Sequence, residues 1–175
     1  MSTTSDRGPR LTHVSVIAED VEESTEFYES VVGCEPIPTP QFGNQEDFHA
    51  DEGIEFQILR IRDIQLHLWN DPGREAESIM FAHFGIHVDN FVEVYHRAEE
   101  RGVFATVGDE SGPPQVFDFN GTAQMYLRDP TGNLVEIDYP DVDALDRSEF
   151  ANVVTRETVG PETSIYDTLD IEPSA

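Results

Sequence analysis

Two stretches of this sequence echo one another about 70 positions apart. His13-Val14-Ser15-Val16-Ile17-Ala18-Glu19-Asp20-Val21 lines up with His83-Phe84-Gly85-Ile86-His87-Val88-Asp89-Asn90-Phe91, and His83 stands 70 positions after His13. Both begin with histidine and run through apolar residues into a polar, acidic pair. Such self-similarity constrains the fold strongly, because equivalent segments of a duplicated chain form equivalent elements. After each echo, apolar residues fall at helical spacing, first at Val21, Phe27, Tyr28, Val31 and Val32, then at Phe91, Val92, Val94, Tyr95 and Ala98. Each helical pattern stops at a glycine, Gly33 or Gly102, which are 69 positions apart.

Beyond each glycine the pattern changes to strands, predicted at 54–61, 64–69, 115–119, 123–128 and 134–139. The repeat unit is a strand, a helix and a run of about three strands. One such unit cannot close a core; two side by side form an α+β cup of mixed sheets with helices outside. The expected organisation is an N-terminal tail (1–10), a domain at 11–140 and an acidic C-terminal tail (141–175). Within the domain, module one (11–69) and module two (81–140) are joined by a polar linker at 70–80. In the C-terminal tail DVDALDRSEF reads as a short acidic helix, and 156–175 as mobile or draped over a neighbour. A chain of 175 residues suits one compact unit.

Charge narrows the possible partners. Acidic residues number 36 against 10 basic ones, all arginine, for a formal charge of -26. That field repels nucleic acid and anionic membranes. Repulsion on this scale needs concentrated salt for screening, so the chain reads as a halophile's protein whose stability falls when KCl or NaCl is removed; full folding in dilute buffer would contradict this. No apolar run of the ~20 residues needed to span a membrane is present, and the polar N-terminus carries no secretory pattern, so a cytoplasmic location is expected. Cys34, the only cysteine, lies in an apolar stretch and reads as a small buried side chain.

The repeat also pairs residues that can hold a metal. His13 matches His83, and His67 matches Glu136, 69 positions later; all four lie on predicted strands. Three imidazoles and one carboxylate converging on one point would suit a single Zn, Ni, Mn, Co or Fe(II) ion with coordination sites left open. His87 shares a strand face with His83, but four residues at ~3.3 Å each separate them by about 13 Å, too far to share an ion; it reads as a core or second-site group. His96 falls on a helix and is expected to be exposed. His49 is placed on a strand lining the cavity, and Trp69, Phe117 and Tyr126 offer aromatic surface for a small-molecule substrate.

The segments HVSVIAEDVEESTEFYESVVG, HFGIHVDNFVEVYHRAEERGV and QMYLRDPTGNLVEIDYP resemble the vicinal-oxygen-chelate superfamily of glyoxalases, bleomycin-resistance proteins and extradiol dioxygenases, over roughly Leu11 to Pro140. The resemblance implies paired βαβββ modules, a homodimer, and metal positions at His13, His67, His83 and Glu136. It implies an enzyme in which a divalent cation stabilises an enediolate or oxyanion, a lyase or isomerase with Glu136 as base. This chain departs from the bacterial glyoxalase pattern, because His67 stands where a second carboxylate is common. The alternatives are an Fe(II) dioxygenase with His13, His83 and Glu136 as a facial triad and His67 as an acid-base group, and an antibiotic-binding protein without catalysis. Tyr126 fits the dioxygenase signature, whereas the histidine that signature places upstream is replaced by Phe-Asp-Phe at 117–119.

Overall fold

A computed structural model describes residues 11–39, 55–70, 82–105, 114–156, 164–167 and 169. Module one consists of β1 (His13–Ile17), α1 (Val21–Phe27) with a further π-turn (Tyr28–Val32), β2 (Glu35–Ile37), β3 (Phe56–Ile61) and β4 (Ile64–Trp69). Module two consists of β5 (His83–His87), α2 (Phe91–Arg101), β6 (Val116–Phe119), β7 (Thr122–Arg128) and β8 (Leu134–Tyr139), followed by β9 (Val153–Arg156). Two mixed sheets result, ordered β1-β4-β3-β2 and β5-β8-β7-β6-β9. The duplication is explicit in the pairing, since β1 runs parallel to β4 as β5 does to β8. Both helical segments end on a left-handed glycine, Gly33 at φ 93° and Gly102 at φ 66°.

Strand alternation sorts the side chains by chemistry. One face carries Leu59, Leu66, Leu68, Ile86, Met125, Leu127, Val135 and Ile137, all buried. They join one apolar cluster with Phe27, Tyr28, Val31, Phe91, Val94 and Tyr95 from the helices. Burying each such large side chain contributes roughly 1.5–3 kcal/mol, so this face decides the register of both sheets. The opposite parity holds His13, Ser15, Gln65, His67 and Trp69 in one sheet, and His83, Gly85, His87, Gln124, Tyr126, Glu136 and Asp138 in the other.

Cys34 lies in the core, and burial pushes its thiol up to about 12. A thiol held protonated is a poor nucleophile. Native protein at pH 8 is therefore expected to leave an aromatic disulfide reagent unreacted, and to release one equivalent of thiolate dye once unfolded in guanidinium.

The short acidic helix expected of DVDALDRSEF is replaced by two separate turns, and most of 156–175 lies outside the described residues. Val142 and Phe150 are buried, and two 3₁₀ turns, Val142–Ala144 and Arg147–Glu149, lead into β9, which pairs in parallel with β6. A sparse set of apolar residues among acids conceals this packing in the sequence: Phe91 and Tyr95 of α2 hold the Phe150 ring edge-on at 5.9 and 5.0 Å.

The modules are fastened through the turn between β7 and β8. Glu19 donates its backbone N–H to Thr131 Oγ1 at 2.9 Å, and Asn133 Nδ2 donates to the carbonyl of Ile17 at 2.8 Å. Tyr28 donates its hydroxyl proton to Asp129 at 2.9 Å. At the corresponding turn of module one, Arg62 pairs with Asp89 at 2.7 Å.

Candidate functional site

Glu136 enters the site from β8, whose neighbours supply its partners by register. Gly85 lies opposite it on β5 and Tyr126 opposite it on β7. His83, two residues before Gly85 on the same face, brings Nε2 to 2.7 Å from Glu136 Oε2. Gln124 donates from Nε2 to Glu136 Oε1, and to Asp138 Oδ1 at 3.2 Å. Both carboxylate oxygens of Glu136 are thus engaged, which fixes the group far better than solvent contact could. The Tyr126 ring meets the His83 imidazole edge-on at 5.8 Å. Its hydroxyl is raised above the ordinary tyrosine value, first by burial and then by the Glu136 and Asp138 carboxylates. Asp138 is itself raised above the carboxylate range, by burial and then by Glu136.

In the other sheet His13 and His67 come from the adjacent strands β1 and β4, and their rings stack at 4.4 Å and 8°. Burial, and then the neighbouring His13, lower the His67 pKa, which favours the neutral imidazole. Gln65 Oε1 lies 2.9 Å from His67 Nε2. Trp69 stacks on Phe56 at 3.9 Å, and Phe56 meets His67 edge-on at 5.3 Å, so an aromatic wall adjoins this pair.

The four expected ligands therefore stand as two pairs, His13 with His67 and His83 with Glu136. Among the described residues no three His, Cys, Asp or Glu side chains gather closely enough to hold one metal ion. Within each pair the donors fit a divalent transition metal, two imidazole nitrogens in one and a nitrogen with a carboxylate oxygen in the other. Phe117 lies near Tyr126, at 6.0 Å between ring centroids. His49 falls outside the described residues. The His87 side chain is largely covered and contacts Tyr166 OH at 2.8 Å and Asp89 at 3.1 Å, while His96 pairs on the surface with Glu149.

Three participants were not singled out from the sequence. Gln124 reaches Glu136 only through cross-strand register, which the sequence does not state. Asp138 follows two residues after Glu136 on the same face, an alternation that offered a hint. Gly85 matters for what it lacks, because a Cβ there would lie 2.9 Å from Asp138 Oδ2. Gly85→Ala is expected to lower stability by about 1–3 kcal/mol, the usual cost of overpacking, read as a shifted midpoint in urea melts. An unchanged midpoint would mean that Asp138 moves aside freely.

The comparisons with known proteins identify the family. The model of the glyoxalase, bleomycin resistance protein and dioxygenase superfamily matches residues 10–137. The chain belongs to that superfamily. One relative in it is the Arabidopsis thaliana protein "Glyoxylase I 4", 29% identical over 129 residues, covering 73% of this chain and 68% of the relative. Among solved structures, "Oxidase ChaP-H2" matches at a TM-score of 0.55 with 24% identity, covering 74% of this chain and 92% of that one. The fosfomycin resistance protein FosX from Listeria monocytogenes, in a structure with Mn(II) and sulfate, matches at 0.55 with 15% identity, over 77% and 94% of the two chains. These structural likenesses support the superfamily's fold. Among the described residues no helix is long and apolar enough to cross a membrane.

Proposed function

We propose that this superfamily member is a metal-dependent lyase or isomerase acting on a small oxygenated substrate, with Glu136 as the general base. The observation that carries this reading is the pair formed by His83 and Glu136 at 2.7 Å, with Gln124 on the other carboxylate oxygen. Its repeat-related counterpart is the stacked pair of His13 and His67. His13, His67, His83 and Glu136 would hold the cation, one pair from each sheet. When bound, a divalent cation supplies Lewis acidity, which lowers the cost of negative charge on two neighbouring oxygens.

The chain's own residues would then do the following. Glu136 accepts a proton from the carbon beside a carbonyl and delivers it to the adjacent carbon, so the carboxylate ends as it began. Gln124 keeps the carboxylate aimed, and Tyr126 walls one side. His67 stands where a second carboxylate would complete a two-carboxylate shuttle, so in this reading the transfer runs through Glu136. A homodimer would bring the pairs of two chains together, and sedimentation measures it.

A second reading is favoured by Tyr126, which stands beside both His83 and Glu136. It is a ring-cleaving dioxygenase in which His13, His83 and Glu136 hold Fe(II) and His67 acts as an acid-base group. Elemental analysis of protein purified anaerobically in high salt separates the two. Nickel, zinc, cobalt or manganese, with turnover of a methylglyoxal-thiol hemithioacetal, supports the lyase. Iron near one equivalent per chain, with oxygen uptake on adding catechol, replaces it with the dioxygenase. No metal together with no turnover overturns both.

A further inference from the structure

The polypeptide beyond the family-matched residues brings a cation to the same sheet face. β9 lies beside β6 with Arg156 opposite Phe119 and Val154 opposite Phe117. Phe117 in turn lies opposite Gln124 on β7. Alternation therefore sets Arg156, Phe117, Phe119, Gln124, Tyr126 and Glu136 on one side of the sheet. The Arg156 guanidinium carbon sits 4.8 Å from the centre of the Phe117 ring. Phe117, Phe119, Gln124, Tyr126 and Arg156 line a cavity of ≈ 210 Å³. Gln124, one of these, is the residue that donates to Glu136.

Cations are scarce in this chain, which has 36 acidic residues and only 10 basic ones. Among the described residues Arg60, Arg62, Arg97, Arg101 and Arg147 each pair with a carboxylate. Arg128 donates instead to the carbonyl of Gly132, and Arg156, with no carboxylate pair among the described residues, stacks on Phe117. A guanidinium stacked on an aromatic face keeps its edge N–H groups free for a planar, bidentate acceptor. An anionic ligand approaching a chain of formal charge -26 is repelled overall, so binding one requires a local cation.

We infer that Arg156 anchors the carboxylate of a small aromatic or apolar acid, and so sets the substrate class of the site. The acid's apolar body lies against Phe117, Phe119 and Tyr126, and its reacting end points toward Glu136. Three strand spacings of ~4.8 Å separate β8 from β9 by about 14 Å, so the carboxylate is remote from the reacting oxygens. This inference rests on the reading of that face as a substrate site.

The test uses 3-phenylpropionate and its primary amide, which share a shape and differ in charge. Neither carries vicinal oxygens, so binding is measured on chelator-treated full-length protein, and the outcome does not depend on the metal. Failure of the metal proposal would show in elemental analysis and leave this titration unaffected. In NMR titrations at constant ionic strength the acid is expected to bind about ten-fold tighter than the amide, a charge-assisted hydrogen bond's worth. Arg156→Gln should abolish the difference, and Arg156→Lys should retain part of it. The Arg156 Nε–H resonance of the unaltered protein should shift with the acid and stay with the amide, a readout that survives even if a variant fails to fold. Equal affinities for acid and amide, a preference that persists in Arg156→Gln, or an unmoved Arg156 resonance would each overturn the inference.

Discussion

Replacing Glu136 with glutamine is expected to lower turnover by about 10²–10⁴-fold, the usual contribution of a positioned general base, with little change in folding. The amide keeps the shape of the side chain and an oxygen that accepts from Gln124, so the packing of β7 against β8 survives. It cannot take a proton from carbon, and as a neutral donor it is a far weaker metal ligand than a carboxylate. Mn²⁺ titrated into the variant should bind markedly more weakly, while far-ultraviolet circular dichroism and the urea midpoint stay close to those of the unaltered protein. His67→Ala separates the two proposed chemistries. If His67 is a ligand, metal is lost with activity; if it is an acid-base group, metal is retained and turnover alone falls. A Glu136→Gln variant with undiminished turnover would remove Glu136 from the reaction and the lyase reading with it.

The modular fold was legible because apolar spacing and duplication reinforce one another. The helix over 91–101 and the strand over 64–69 emerge at their expected positions, since each buries one face and periodicity records burial directly. β2 was missed because its three residues are too few to show a period. β9 was missed because it lies at the edge of its sheet among acidic neighbours, where burial of Phe150 rather than alternation recruits the segment.

The site was legible only to the level of pairs. Spacing linked His13 to His83 and His67 to Glu136 along the sequence. The sheets instead join His13 to His67, and His83 to Glu136, because β1 and β4 are hydrogen-bonded neighbours, as are β5 and β8. Repeat symmetry tells which residues are equivalent; strand register tells which ones touch. Gln124 and Arg156 belong to the second kind of information, and no pattern within their own segments announces them.

Asp129→Ala is expected to be among the most destabilising single changes outside the core, by about 2–4 kcal/mol, because it leaves buried donors without partners. Asp129 opens the turn that carries β7 into β8. It accepts from the Tyr28 hydroxyl at 2.9 Å, from the Asn133 backbone at 2.8 Å and from Asn133 Nδ2 at 2.7 Å. Asn133 Nδ2 also holds the carbonyl of Ile17, so the same carboxylate sets the turn and ties it to module one. Gly132, at φ 98°, lets the turn close with its N–H on the Asp129 carbonyl. Tyr28→Phe removes a single donor and should cost only ~1 kcal/mol. Burial is the largest influence on the Asp129 carboxyl and raises its pKa, against the lowering effects of Asn133 and Tyr28. A raised folded value means that the stabilisation is complete below the unfolded pKa and declines as pH rises through the folded one. The deficit of Asp129→Ala should therefore be greatest in acid and narrow toward neutrality, as read from urea melts across that range. A deficit that grows with pH instead would show that the ionised carboxylate is the favoured form in the fold, with its hydrogen bonds outweighing its burial.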